Sequence, residues 1–443
     1  MRAWTLVPGL VLALLVGSAE AAVSGGYRSD GEAQSVVVRA SADAYVTSSA
    51  PRRNRGRSKT LRLQRRPVAR ALLRFTVPRT RSVTGARLRL RVRSGSGRVS
   101  VHALSAGWRE RRVTYARSPR PGRRIAAATV RRGWASIDVS RGFRAGRTLG
   151  FALASSARRP IVLASRESGG TAPRLVLATE AAPETLVAAG DIANCASQGD
   201  EITAALLDGI PGTVAALGDL AYENGTPAEF AGCYGPSWGR HRARTRPAVG
   251  NHEYNTPAAA GYFAYFGSGV GNPTEGWYSY DVGAWHVVVL NSNCSFVSCA
   301  GGSPQEMWLR ADLQAHRVRC TLAYWHHPLF SSSSATPAVR PLFQALYDAG
   351  ADLLLTGHAH NYQRFAPQAP TGVADAGRGI RQIVVGTGGT EFHAASGAFP
   401  NREAVNSDTL GVLRLSLFAT RYEWQFVPQP GRTFTDSGST SCH

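Results

Sequence analysis

"VAALGDLAYENG", residues 214–225, joins a short apolar run to a glycine, a carboxylate and, three places later, a tyrosine. Such a run reads as a buried strand, and the Gly–Asp that ends it leaves Asp219 at the strand's mouth. The same grammar recurs on both sides. Upstream, "TLVAAGD" (185–191) delivers Asp191. Downstream, "PAVGNHE" (247–253) ends in Asn251 and His252, and "LAYWHHP" (322–328) in His326 and His327. "LLLTGHAH" (353–360) ends in His358 and His360, and "IVVGTGGTEFH" (383–393) in His393, which receives no role. Helical stretches at 200–207, 304–316 and 339–349 lie between the runs. Strands alternating with helices predict an α/β domain whose active residues sit at strand ends.

Each motif alone has a bland reading, because an Asp after Gly often caps a helix or starts a turn. Their joint order is far more specific. His358 and His360, one residue apart, are expected to project to the same side of an extended segment and to face adjacent metals. Carboxylate, phenol, amide and imidazole groups together are the donor set of a metal centre.

With "GDxxY", "GNHE" and "GHxH" in this order, residues 184–430 resemble the calcineurin-like metallophosphoesterases, and most closely the purple acid phosphatases. The resemblance implies a four-layer α/β sandwich, two mixed sheets flanked by helices, with two metals at the strand ends. It makes Asp191, Tyr222 and His360 ligands of the first metal and Asp219 the bridge. Asn251, His326 and His358 become ligands of the second. Ala193 stands where other branches of the superfamily place a metal-binding histidine, and Tyr222 takes over that role. A phenolate and hard carboxylates suit Fe3+ at the first site; mixed N/O ligands suit Zn2+, Mn2+ or Fe2+ at the second.

The implied reaction is hydrolysis of a phosphomonoester by a metal-bound hydroxide. Asn251 and His252 would contact the substrate, and His252 would protonate the leaving alkoxide. His327 and Gln363 are expected to support ligands rather than bind metal, and His286, inside "WHVVVL", to be packed. Two departures limit the transfer. "GHAHNYQR" (357–364) carries Gln363 where the family has Glu, and "LFSSSSATPAV" (329–339) lacks the paired histidines of some plant enzymes.

Residues 35–179 read differently. Short strand-like runs are broken by Gly, Pro and Ser, and "ARLRLRVR" (86–93) alternates apolar residues with arginine at period two. About eight such runs without a helical pattern predict an antiparallel β-sandwich. "ADAYV" (42–46), "ALLRFTVP" (71–78), "ARLRLRV" (86–92), "WRERRVTY" (108–115) and "PRLVL" (173–177) resemble the family 96 (DNRLRE-like) carbohydrate-binding modules. The resemblance implies a glycan or cell-wall polymer as partner. Trp108 and Trp134 are weighed as sugar platforms against a packing role, which is favoured. His102 stands alone, so this half is not expected to be catalytic.

Charge divides the chain at the same place. Residues 22–180 carry 35 of the 51 Lys+Arg and only 7 of the 29 Asp+Glu. The surplus suits an acidic polysaccharide, a phosphate-bearing wall polymer or stray nucleic acid, and no motif for specific nucleic-acid reading is present.

Residues 1–21 read as a secretory signal: Arg2, an apolar stretch, then Ala19-Glu20-Ala21. No later run approaches the length of a membrane span. A secreted protein is expected, with six cysteines in three disulfides. Cys294–Cys299 is the first expected pair; Cys195–Cys233 and Cys320–Cys442 follow. The expected order is therefore signal (1–21), β-sandwich (35–179), linker (180–185), phosphoesterase domain (186–430) and tail (431–443).

Two rival functions remain open. A phosphodiesterase or nucleotidase would use the same ligands. A glycan-binding adhesin with a decayed phosphatase domain would need only the first half.

Overall fold

The computed structural model describes residues 34–78, 83–144, 146–272, 274–395 and 397–443. The expected signal segment lies outside the described residues.

Residues 34–179 form two antiparallel sheets. One holds Gln34–Arg39, Arg174–Thr179, Val83–Ser94, Ile161–Ala164 and Thr60–Leu63, with Gly133–Asp138 also paired to Val83–Ser94. The other runs Ala42–Thr47, Ala69–Thr76, Thr148–Ser155, Gly97–Leu104, Arg124–Val130. The arginine alternation does what its period predicts. Leu88, Leu90 and Val92 are fully buried, while Arg87, Arg89 and Arg91 stand on the other face. The apolar sides of both sheets meet in one core containing Phe75, Phe151, Leu163 and Leu175. The sequence runs undercount the strands. Thr60–Leu63 and Ile161–Ala164 are only four residues long, too short to register as alternation.

The second half is built on two mixed sheets. The first is ordered Thr245–Ala248, Thr213–Leu217, Glu184–Ala189, Gly411–Phe418, Arg421–Pro428, Ser437–Ser441. Its first three strands are parallel and its last three antiparallel. The second sheet has Trp285–Val289, Cys320–Tyr324, Leu353–Thr356 and Arg381–Val385 in parallel at its centre. Such central strands are apolar at nearly every position because both faces are covered.

Between the sheets lies a core including Leu186, Val214, Val287, Leu355 and Phe426. Helix Gly199–Asp208 packs onto this core through Ala204 and Leu207. Helices Pro304–Ala315 and Arg340–Ala349 cover the second sheet through Leu309, Phe343 and Leu346. Ser303 caps the first of these by accepting the Glu306 N–H, and Gly350 ends the second in a left-handed turn at φ 77°.

The paired strands extend past both ends of the 186–430 segment. Glu184 already pairs with Leu417, and Ser437–Ser441 adds the sixth strand. All six cysteines are bonded, as Cys195–Cys233, Cys294–Cys299 and Cys320–Cys442. Among the described residues no helix is long and apolar enough to cross a membrane.

Candidate metal centre

The parallel strands of both sheets carry the chain to one place. Asp191 follows Glu184–Ala189, and Asp219 follows Thr213–Leu217. Asn251 and His252 follow Thr245–Ala248, His326 follows Cys320–Tyr324, and His358 and His360 follow Leu353–Thr356. Two mouths need glycine because another group is already there. A Cβ on Gly218, at φ 87°, would lie 2.6 Å from His326 Nδ1, and one on Gly357 would lie 2.6 Å from Asp191 Oδ2.

The seven candidate ligands fall into two groups that share Asp219. The Tyr222 hydroxyl lies 3.1 Å from Asp191 Oδ1, 3.1 Å from His360 Nε2 and 3.3 Å from Asp219 Oδ2. His326 Nε2 lies 3.0 Å from the same Asp219 Oδ2, 3.1 Å from Asn251 Oδ1 and 3.2 Å from His358 Nδ1. Asp191, Asp219 and His326 are all buried. The short strands Ala193–Asn194 and Ala221–Tyr222 pair in parallel, with Ala193 opposite Ala221 and Tyr222 opposite Asn194.

Tautomers make the donor count informative. His326 Nδ1 faces the Leu217 carbonyl at 2.9 Å and His360 Nδ1 the Glu391 carbonyl at 2.9 Å. Each Nδ1 therefore carries the hydrogen, and each Nε2 turns its lone pair toward a carboxylate. Neutral His326 would thus set a lone pair against the oxygens of Asp219 and Asn251. A proton or a cation must resolve that conflict. Burial opposes a charged His326, but the Asp219 carboxylate outweighs it and pushes the imidazole up to about 9. Burial and then the Asp191 and Asp219 charges push the Tyr222 phenol well above its usual range. Burial and the neighbouring His326 hold His358 down at about 4. Imidazoles fixed by carbonyls with their free nitrogens on carboxylates suit metal binding, and this donor set fits two cations.

Four of the seven non-glycine residues with positive φ among the described residues are candidate ligands. Asp191 (φ 60°), Asp219 (φ 50°), His358 (φ 67°) and His360 (φ 26°) all adopt left-handed conformations. The expectation of an extended His358–His360 segment is therefore corrected. Both imidazoles do reach the centre, but from a turn in which Ala359 N–H donates to Gly357 O at 2.8 Å. They diverge, His358 toward His326 and His360 toward Tyr222.

The remaining candidates line the centre's surroundings. His252 donates its backbone N–H to Asp219 Oδ1 at 2.9 Å, and its Nε2 is 3.9 Å from Asp219 Oδ2. His327 leans on the His358 ring and is held by Ser292; burial and then His326 keep it at about 2, a neutral ring. Gln363 touches none of the seven. It accepts from Ser332 and donates to Ser331 and Asn361, tying the serine loop to the residue after His360. His393 stacks on His360 with ring centres 3.9 Å apart. His286 is indeed packed, between Asp281 and Asp312. Trp108 is buried under Arg74, whereas Trp134 is partly exposed between Arg89 and Arg174.

Glu253 is the residue that motif reading passed over. Fully buried, it accepts backbone N–H groups from Asp219 (3.0 Å), Leu220 (2.7 Å), Ala221 (3.3 Å) and Gly250 (2.7 Å). It thereby locks together two loops that carry candidate ligands. Burial, then the Asp219 charge, raises it to about 7. Its signal was the acidic end of "GNHE", a charge with no solvent-side reason to be there.

Comparison with known proteins gives the same division. Residues 34–179 match carbohydrate-binding module family 96, and residues 177–362 match the calcineurin-like phosphoesterases. Purple acid phosphatase 15 of Arabidopsis thaliana is 25% identical over 221 residues, covering 41% of each chain. A nucleotide pyrophosphatase/phosphodiesterase of Hordeum vulgare is 24% identical over 249 residues, covering 46% of this chain and 64% of its own. Among solved structures, a purple acid phosphatase from seeds of yellow lupin (Lupinus luteus) aligns with a TM-score of 0.46 and 15% identity. That alignment covers 84% of this chain and 72% of the lupin protein. The chain spans about two fifths of the length of the Arabidopsis relative.

Proposed function

From the premise of a calcineurin-like phosphoesterase region behind a family 96 module, we propose a secreted, metal-dependent phosphatase that hydrolyses phosphomonoesters. Its N-terminal half would bind a glycan or cell-wall polymer. One observation carries the catalytic reading: Asp219 Oδ2 is shared by the Tyr222 group and the His326 group. Asp191, Tyr222 and His360 would hold a first metal, and Asn251, His326 and His358 a second, with Asp219 between them. Two cations there would supply positive charge for the phosphoryl oxygens and acidify a water for in-line attack. Tyr222 supports Fe3+ at the first site, with Zn2+, Mn2+ or Fe2+ at the second.

The chain's own side chains supply the rest. His252 Nδ1 faces the Glu223 carbonyl at 2.7 Å, which orients the ring and turns Nε2 toward the centre. From there Nε2 can hand a proton to the departing alkoxide. The Asn251 amide N–H can hold a phosphoryl oxygen.

Metal analysis of the purified chain and a panel of aryl phosphate, bis-aryl phosphate, nucleotide and phytate test the reading. Metal-dependent turnover of monoesters supports it; turnover confined to diesters overturns it. A phosphodiesterase or nucleotidase is the second reading, favoured by the likeness to the barley protein.

A further inference from the structure

One parallel strand of the second sheet opens toward the candidate metal centre without supplying a ligand. Trp285–Val289 runs parallel to Cys320–Tyr324, whose mouth delivers His326, and its own mouth carries Asn291, Ser292 and Asn293. Ser292 reaches the edge of the centre, its hydroxyl 2.9 Å from His327 Nδ1. The loop that follows is closed by Cys294–Cys299, five residues apart. Phe296 N–H and Val297 N–H both donate to Asn293 O at 2.9 Å, and Val297 and Cys299 pack into the core beneath. Phe296 turns outward. It is 62% exposed, more than any other phenylalanine or tryptophan among the described residues.

A lone exposed apolar side chain is ordinary on a protein surface, but this one is held in place. Its ring stacks on Tyr254, with centres 4.4 Å apart and planes 13° from parallel. Buried Asn291 donates to the Tyr254 hydroxyl at 2.8 Å. Gln305 brackets Asn291 in turn, accepting its N–H at 2.7 Å and donating to its carbonyl at 2.9 Å. Tyr254 belongs to the short turn His252–Asn255 and donates its N–H to Asn251 O at 3.1 Å. The stacked pair therefore sits next in the chain to the residues assigned to phosphate and leaving group. Tyr254 covers one face of the Phe296 ring and leaves the rest to solvent.

We propose that Phe296, backed by Tyr254, is a stacking platform for the base of a nucleotide and turns the enzyme toward nucleoside monophosphates. The assignment rests on the phosphoesterase reading above. Every nucleobase presents a π-face, and an aromatic side chain binds it by stacking without reading its edge. A nucleotide fits the placement better than a simple aryl ester. Asn251 and His252 contact the candidate ligands, whereas the Tyr254 side chain bonds Asn291 instead. A ring on the pair is thus set apart from the phosphoryl group by a spacer, the part that ribose plays in a nucleotide.

Two measurements test this: kinetics of the metal-loaded chain on adenosine 5′-monophosphate and glycerol 3-phosphate, and saturation-transfer NMR of adenosine, which needs no turnover. Phe296→Ala is expected to lower the ratio of kcat/KM between the two esters about tenfold, through KM, and Phe296→Trp to restore it. The NMR contact to the adenine protons should be present in the unmodified chain and in Phe296→Trp, and lost in Phe296→Ala. Phe296 is exposed, so its truncation leaves the core intact, and an unchanged Tm checks that. An unchanged ratio, an equal loss on both esters, or adenosine contact that survives Phe296→Ala overturns the platform while the phosphatase reading stands. Absence of turnover on both esters overturns the phosphatase reading instead, and the NMR contact alone then decides the platform.

Discussion

The Glu253 carboxylate receives the backbone N–H of Asp219 at 3.0 Å, from the loop that also carries Asn251 and His252. One side chain thus fixes the spacing of two candidate metal-binding loops. Glu253→Gln would put an amide group where two carboxylate oxygens now accept four N–H bonds. Stability should fall by about 2–4 kcal/mol. Metal affinity should fall roughly 10- to 100-fold. Denaturant unfolding and metal titration read the two effects separately.

The Tyr222 hydroxyl touches Asp191, Asp219 and His360. If iron fills the first site, the protein absorbs visible light through a phenolate-to-iron transition. Tyr222→Phe should abolish that band and weaken first-site metal binding by at least about tenfold. A colourless, fully active protein containing only zinc would refute the iron assignment.

His252 tests the leaving-group step. His252→Ala should lower kcat by about 10²–10⁴ for alkyl phosphates, within the usual range for a general acid. Aryl phosphates, whose phenol leaves without help, should lose much less. An equal loss for both substrate types would show that the ring positions phosphate instead of donating a proton.

His286 gives a stability that depends on pH. Burial opposes its charge, but hydrogen bonds to Asp312 and Asp281 outweigh it and raise its affinity for a proton. Burial likewise opposes ionised Asp312, and His286 and Ser279 outweigh it and lower that carboxyl. The raised imidazole stabilises fully below its unfolded value near ~6.5 and fades as pH rises through its folded value. The lowered carboxyl stabilises above its unfolded value near ~4 and fades as pH falls through its folded value. The Tm difference between the unmodified chain and His286→Gln should therefore peak between about pH 4 and 6.5. A flat difference would mean the ring is neutral throughout.

Cys320–Cys442 closes 122 residues, the longest of the three loops. Cys442→Ala should cost up to about 5 kcal/mol by loop entropy. Cys294, which closes only 5 residues, should matter less when replaced. Thermal unfolding of the two variants under identical buffer gives the ranking.

Much of this molecule was legible where physics forces one residue type. Glycine before Asp191, Asp219, Asn251 and His358, an apolar run before each glycine and arginines at period two leave little freedom. What stayed hidden depends on contacts distant in sequence. Nothing near Glu253 says that it will cap four amides, and nothing near Gln363 says that it will bind serines instead of the centre. The left-handed turn at His358–His360 was hidden too, since it depends on long-range contacts to Asp191 and Glu391.

The four left-handed residues Asp191, Asp219, His358 and His360 also set a trade between the fold and its centre. Each holds a backbone that glycine would adopt more easily, at a cost on the order of 1 kcal/mol or more. Replacing any one of them with glycine relaxes the backbone and removes a donor in the same step. Stability without metal and affinity for metal should therefore move in opposite directions, so that the centre is built from positions the fold alone would fill differently.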